Sequence, residues 1–484
     1  MSRDEFRRRL PNGVWACSAA AVVLLLAVSS RYGFHRDELY FMVAGRRLDW
    51  GYVDQPPLTP LVARFSETMF GTSPTALRIL PALAVGVIGL LAAIMARRFG
   101  GGRKAQVFAA FTTSFTGVLL GVGHLLSTAA FDYLFWTIVL WLLVLILDDA
   151  DPRLWLGVGV VIGVGLENKY TIGFLATAIL IGILVTRRRR TLASPWPWLG
   201  AALAALIALP NLIWQARQGW PQLEVAEALA ARSDGPVAFL LNQPLLLSVT
   251  LTVPAAVGFW WVLRSDQARK WRPIPIAFLV LVLIFMTSGG KAYYVAPMYP
   301  VFLAAGAIWF ERLNRGQAWV FGSAVVGILV GTVIALPLAP VDVVDSVDAT
   351  GELGETVGWP DLIDDIEVAY NSIPAEMRDT VVVFTGSYGE AGAVDVLGPA
   401  AGLPQASSGH NNYWLWGAPS QHGPIIGVGD VEAALEPICP EINQVATLGN
   451  PHGVGNEVMG QPLLICPEPT GQLADIWPLI GHFN

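Results

Sequence analysis

The sequence predicts a polytopic α-helical membrane protein of about eleven transmembrane helices that ends in a soluble α/β domain. Three observations carry this reading. Of 484 residues, 54% are hydrophobic and only 14% charged, against roughly 25% charged in a soluble protein. Many apolar runs approach or exceed the ~18 residues that mark a membrane-helix candidate. Charge is also unevenly spread. From Val341 onward there are 20 Asp and Glu against one basic residue, Arg378, whereas the first 340 residues hold 29 Lys and Arg against 17 acids. The chain therefore reads as two bodies, a basic-flanked membrane domain at 1–340 and an acidic soluble domain at 341–484. Plain solubility accounts for the acidity of the second, and nothing in the sequence points to nucleic acid.

The first span covers about Val14–Ser30. Arg3, Arg7, Arg8 and Arg9 precede it, which places the N-terminus in the cytoplasm by the positive-inside rule. The run has no clear small-residue cleavage site and is read as a retained span rather than a signal peptide. Further spans are expected at about Leu77–Ala96, Gln106–Val122, Phe131–Leu147, Leu154–Leu166, the run before Arg187, and Trp198–Trp214. Four more follow: the run ending at Arg264, Ile274–Ser288, the run ending at Arg312, and Ala318–Leu336. Arg97, Arg98, Arg103 and Lys104, then Arg187–Arg190, then Arg264, Arg269, Lys270 and Arg272 all fall on the cytoplasmic side. The acidic loop Asp148–Arg153 is the one dissenting vote. With eleven spans, the acidic domain lies outside. There Cys439 and Cys466 could pair, whereas Cys17 is a packing residue in the first span.

The outside loop between the first two spans stands apart. It reads Arg31-Tyr-Gly-Phe-His-Arg-Asp-Glu-Leu-Tyr-Phe41 and continues to Gly51-Tyr-Val-Asp-Gln-Pro-Pro-Leu58. Asp37 and Glu38 sit side by side, and on a helix adjacent residues point about 100° apart. One carboxylate can face a reacting hydroxyl as general base while the other binds a neighbour. A competing reading makes them helix-N-terminal acids, since Glu38–Arg47 looks helical. Pro56 and Pro57 stiffen the backbone beside Asp54. The loop is also basic, with Arg31, Arg36, Arg46, Arg47, Arg64 and Arg78. An anionic substrate and anionic lipid headgroups explain that charge equally well.

Other candidates lie at the outer ends of later spans. Asp132 closes Ser127-Thr-Ala-Ala-Phe-Asp132, and an ionisable group there is a functional candidate or a helix cap. Lys169, in Glu167-Asn-Lys-Tyr170, can meet a phosphate or pair with Glu167. Lys291, in Lys291-Ala-Tyr-Tyr294, is a second phosphate candidate, with Tyr293 and Tyr294 beside it. In the acidic domain, Ser407–Trp416 is rich in amides and aromatics. It suits sugars but reads more readily as a packed loop. The glycines of Tyr388-Gly-Glu-Ala-Gly392 are too few for a phosphate loop. His410, His422 and His452 lack metal-ligand spacing.

An acidic pair after the first span, followed by aromatic-X-Asp-X-Pro-Pro-Leu at Tyr52–Leu58, resembles the protein O-mannosyltransferases and their relatives that transfer aminoarabinose to lipid A. The likeness is strongest over Tyr32 to about Leu80. It implies a GT-C fold and a polyprenyl-phosphate sugar as donor, with no further cofactor. It implies Asp37 as the catalytic base and a donor-site role for the segment of Lys291, Tyr293 and Tyr294; the reading of the loop and of the span ends adds substrate contacts from Arg36, Glu38, Tyr40, Tyr52, Asp54, Asp132 and Lys169. A divalent cation on Asp37, Glu38 or Asp54 is the disfavoured alternative. The chain departs from the aminoarabinose pattern at Tyr40, where those enzymes carry Arg, and at Gln55, where they carry Lys. Phosphate contacts must then come partly from elsewhere. The resulting expectation is an inverting transferase of the cell membrane. It moves a hexose, mannose-like, to an extracytoplasmic protein or a cell-envelope glycan or lipid. The alternatives are a pentose transferase of the aminoarabinose type, a transporter with an outer binding domain, and a non-catalytic envelope-assembly protein. A transporter predicts broken, charged segments at mid-membrane and repeated halves, and neither is visible.

Overall fold

A computed structural model describes residues 9–348 and 351–484; Arg3, Arg7 and Arg8 of the basic N-terminus lie outside the described residues. The chain divides into two compact units. One holds the chain up to Ser29, Arg78–Ala216 and Leu229–Leu336. The other gathers Ser30–Leu77, Arg217–Ala228 and Pro337–Asn484. The loop after the first apolar helix therefore clusters with the C-terminal region.

The first unit is helical. Among the described residues, six helices are long and apolar enough to cross a membrane, and eight qualify if each of two bent pairs counts as one span. Two shorter apolar helices, Asn12–Val28 and Leu154–Leu166, lie beside these in sequence. The run expected as one span over Gln106–Val122 is two helices, Arg103–Ser114 and Gly117–His124, bent by 54°. Thr116 is extended at the break, and the freed Gly117 N–H donates to Ser248 Oγ at 2.9 Å, so the orphan donor is satisfied in place. Tyr299–Arg312 is buried along almost its whole length. It crosses Thr252–Arg264 so closely that a Cβ on Gly306 would meet the Pro254 carbonyl, which is the small-residue packing that lipid favours.

The acidic loop Asp148–Arg153 meets basic residues within this unit. Asp148 pairs with both Arg98 and Lys270, and Asp149 pairs with Arg188 at 2.8 Å. Glu311 accepts from the backbone N–H groups of Gly102 and Lys104, at the start of a helix where a carboxylate is favoured. The two aspartates thus pair with one residue from each of three basic clusters.

In the second unit, the segment after the first apolar helix folds as two helices, Arg36–Arg46 and Leu58–Phe70, joined by the Tyr52–Pro57 turn. The C-terminal region carries a five-stranded sheet. Its strands are β1 (Val382–Thr385), β2 (Ala406–Ser408), β3 (Ile425–Val428), β4 (Asn443–Thr447) and β5 (Pro462–Cys466), in the order β2-β1-β3-β5-β4. β1 runs parallel to β2 and β3, with Val383 opposite Ala406 and Ile426. β5 is antiparallel to its neighbours. The Tyr388–Leu397 helix makes the crossover from β1 to β2, as parallel pairing requires. The next helix, Glu432–Leu435, begins after Val431.

Phe384, Ile425, Leu464, Ile476 and Trp477 share one core with the disulfide Cys439–Cys466. The bridge spans 27 residues of chain, and closing a loop of that size stabilises by about 3 kcal/mol in the chain-entropy account. Replacing both cysteines by alanine is expected to lower the melting temperature of the purified protein by several degrees. A reductant should then act on the wild type alone.

Candidate active site

The residues read from the sequence fall into two groups, one in each unit. In the second unit, Asp37 occupies the first turn of Arg36–Arg46. His35 caps this helix, its Nδ1 accepting from Asp37 N at 3.1 Å, and Glu38 Oε2 returns to accept from His35 N at 2.9 Å. This is a capping box. It separates the two acids: Glu38 is fully buried and closes the turn, whereas the Asp37 side chain is about one-third exposed at 32%. Asp37 Oδ1 accepts from Tyr388 Oη at 2.9 Å.

Tyr40 and Tyr52 are fully buried. Tyr40 Oη donates to Asp54 Oδ1 at 2.9 Å, and Tyr52 Oη donates to the Ala44 carbonyl at 2.9 Å. Substrate contacts were expected at Glu38, Tyr40 and Tyr52; in the fold their polar atoms are spent on holding the loop together. The turn bearing Asp54 is pinned further. Asn412 Oδ1 accepts from Val53 N at 2.6 Å, and Gln222 Nε2 donates to Asp54 O at 3.0 Å. Burial pushes the Asp54 carboxyl up to about 7 despite the hydrogen bond from Tyr40. Ser407–Trp416 thus proves to be a packed loop, with Asn412 bracing the Asp54 turn.

Arg36 was expected at the substrate. Its Nη1 donates to Glu457 Oε2 at 3.1 Å, with Glu355 Oε1 at 3.8 Å and Asp37 Oδ1 3.6 Å from its Nε. Arg46 and Arg64 share Glu67, and Arg47 lies 4.6 Å over the Trp416 ring. Much of the loop's positive charge therefore meets protein carboxylates and an aromatic face. That gives a third explanation beside substrate and lipid. The acidity of the C-terminal region is partly complementarity, not solubility alone.

The Tyr388–Leu397 helix packs against Arg36–Arg46 through its glycine pair. A Cβ on Gly389 would meet Glu457 Oε1, and one on Gly392 would lie 2.9 Å from Tyr40 N. This helix carries a capping box of Ser387 and Glu390. Glu390 is 3% exposed; burial, with help from the Glu457 carboxylate, pushes its carboxyl up to about 8. The native state then holds a proton that the unfolded chain releases near ~4.3. Stability is therefore lost as pH rises through that window. Glu390→Gln keeps an acceptor for Ser387 N and removes the charge. It should raise the melting temperature by several degrees at pH 8, with the difference shrinking toward pH 5. A lower melting temperature at pH 8 would contradict this assignment.

In the first unit, Asp132 lies in the first turns of Thr128–Leu147, 4% exposed. Its Oδ2 accepts from Thr171 Oγ1 at 2.7 Å. Lys169, just before the Thr171–Leu184 helix, holds its Nζ 5.1 Å and 4.8 Å from the ring centroids of Tyr293 and Tyr294, and 3.4 Å from Tyr293 Oη. Asp132 and Lys169 interact electrostatically. Asn168 Nδ2 donates to the Thr128 carbonyl at 2.8 Å, tying the two helix ends together. Tyr293 and Tyr294 sit on a 3-10 turn, Ala292–Met298, which Gln243 secures through the Ala292 carbonyl at 3.1 Å. Lys291 precedes this turn and is exposed. Asp132, Lys169, Tyr293 and Tyr294 thus form one cluster. Sequence reasoning did not reach Thr171 and Gln243 here, nor Tyr388 and Glu457 in the other unit.

Residues 54–214 match the family described as dolichyl-phosphate-mannose-protein mannosyltransferase. An undecaprenyl phosphate-α-4-amino-4-deoxy-L-arabinose arabinosyl transferase of Pseudomonas savastanoi is 27% identical over 293 residues, 55% of this chain and 53% of the relative. One from Pseudomonas fluorescens is 26% identical over 301 residues, 55% and 51% of the two chains. The chain spans about half the length of these curated relatives. Among solved structures, ArnT from Cupriavidus metallidurans bound to undecaprenyl phosphate aligns with TM-score 0.61 and 16% identity, over 93% of this chain and 97% of its own. The arabinofuranosyltransferase AftD from Mycobacteria aligns with TM-score 0.53 and 16% identity, over 95% of this chain and 42% of its own. The chain is a membrane-helical protein of the GT-C glycosyltransferase fold, and it resembles the protein O-mannosyltransferase and aminoarabinose transferase family.

Proposed function

We propose that the chain is an inverting glycosyltransferase that takes a hexose, mannose-like, from a polyprenyl-phosphate donor. The acceptor is a hydroxyl of an extracytoplasmic protein or of a cell-envelope glycan or lipid. The observation that carries this reading is the state of Asp37. It is a carboxylate presented at a helix start, anchored through one oxygen and part-exposed, while its neighbour Glu38 is consumed by the cap. In the proposed reaction the acceptor hydroxyl gives its proton to Asp37 and its oxygen bonds to the sugar C1. The C1–O bond to phosphate breaks from the opposite face, and its electron pair leaves on the lipid phosphate. The phosphate gains a negative charge as that bond breaks. A cation already in place stabilises the transition state more than the ground state. Lys169 is assigned this role, with Lys291 as a second phosphate contact, and Asp132, Tyr293 and Tyr294 hold Lys169.

We place the N-terminus in the cytoplasm and the 341–484 domain outside the cell membrane, with eleven spans. These count the six long helices, each bent pair as one crossing, the two shorter apolar helices and Thr252–Arg264. The bridge between Cys439 and Cys466 supports an oxidising compartment for that domain. Leu61, Phe65 and Met69, spaced four apart on Leu58–Phe70 and each about half exposed, support a helix resting on the membrane interface.

A second reading, transfer of an aminoarabinose-type pentose to a lipid, is favoured by the curated relatives, although Tyr40 and Gln55 depart from their basic pattern. A panel of radiolabelled polyprenyl-phosphate sugars offered to the reconstituted protein separates the two. Consumption of a hexose donor is expected. Consumption of the aminopentose donor alone would establish the second reading, and consumption of none would overturn both.

A further inference from the structure

Tyr388 comes from the C-terminal region and touches the proposed base directly. Its hydroxyl donates to Asp37 Oδ1 at 2.9 Å. Among the described residues, Asp37 Oδ2 has no hydrogen-bond partner, and the side chain keeps about a third of its surface. One oxygen is therefore held and the other is open.

The placement of Tyr388 is itself over-determined. It begins the Tyr388–Leu397 helix directly after the capping Ser387. Its backbone N–H donates to His410 Nδ1 at 3.4 Å. Its ring lies 4.8 Å from those of both Tyr40 and His410. Ser387 Oγ donates to Glu457 Oε1 at 2.9 Å, and Glu457 Oε2 takes the Arg36 guanidinium. The contacts close a ring: Asp37 to Tyr388, along the chain to Ser387, across to Glu457, to Arg36, and back along the chain to Asp37. Burial and the Asp37 carboxylate hold the Tyr388 phenol well above the usual tyrosine range, so it stays a donor at any working pH. Burial likewise lowers His410 to about 4, which leaves its imidazole neutral and able to accept from Tyr388 N.

We propose that Tyr388 is the positioning residue for Asp37: its hydroxyl anchors one carboxylate oxygen and thereby aims the other at the acceptor hydroxyl. This rests on the assignment of Asp37 as base. A carboxylate that can swivel must be ordered before it takes a proton, and small misplacements of a reacting group cost large factors in rate. A charge-assisted hydrogen bond to one oxygen removes that freedom in advance. The C-terminal region then contributes to turnover without supplying a reacting group.

Tyr388→Phe tests this in the full-length protein, assayed with the donor that the sugar panel identifies. The ring contacts survive and only the hydroxyl is lost. The expected result is a fall in kcat of about 10-fold, a fraction of the roughly 10²–10⁴-fold that a general base contributes, with the donor KM within about twofold and the melting temperature unchanged. The same substitution in an Asp37→Glu background, where the carboxylate is already displaced, should cost clearly less than 10-fold, because residues that act through one another are not additive. Wild-type kcat in Tyr388→Phe, with Asp37→Asn inactive, would overturn the positioning role and leave the base intact. An equal loss in both backgrounds would also overturn it. Full activity of Asp37→Asn would remove the base and this inference together.

Discussion

Asp37→Asn is expected to lower sugar transfer by about two to four orders of magnitude, the usual contribution of a general base, while the protein still inserts and folds. The structure explains why the fold should survive. Asparagine keeps an oxygen that can accept from Tyr388 Oη, and the backbone bond from residue 37 to His35 Nδ1 is untouched. Arg36 loses one neighbouring charge but retains Glu457 and Glu355. The loss should therefore appear in kcat, with the donor KM little changed, because the missing interaction is with the acceptor proton in the transition state. A rate within a few-fold of wild type, in protein with an unaltered melting temperature, would remove Asp37 as the base. Glu38→Gln is a useful contrast. It should be measured first as a stability variant, since its carboxylate serves the helix cap.

Lys169→Met is expected to give the second large loss, about 100-fold or more in kcat, in the range found when one preorganised charge-stabilising group is removed. The methionine stem can still pack on Tyr293 and Tyr294, so packing and charge are separated. Its effect should grow with the charge developing on the phosphate. A donor with a better leaving group should lose less. Lys169→Arg should recover part of the rate, because a planar guanidinium also meets phosphate but in a different geometry. If Lys169→Met altered only the melting temperature, the lysine would be a structural partner of Asp132 and not a phosphate contact.

Much of this architecture was legible in the chain because its signals are local. Apolar runs and the basic clusters at their ends each lie within a few turns. The helix expected over Glu38–Arg47 appears as Arg36–Arg46. The short strand Ala406–Ser408 was missed because three small residues, Ala-Ser-Ser, show no alternating apolar pattern. The partners of the loop were missed for another reason. Tyr388 and Glu457 lie 351 and 421 residues from the groups they hold, and no spacing rule reaches that far. The same distance hid the meaning of the basic loop, whose arginines looked available until their acids were found. It also hid Gly389 and Gly392, which are read as a weak turn motif until the helix they press against is known.

Gly392 has a consequence for inheritance and for engineering. Where backbone meets backbone with no side chain between, neither surface can drift alone. A larger residue at 392 demands a new path for the chain at Leu39 and Tyr40, and that chain carries Asp37. The loop after the first apolar helix and the C-terminal region must therefore vary as one cassette. A chimera that exchanges the C-terminal region with a relative should work only when the Arg31–Leu58 segment travels with it.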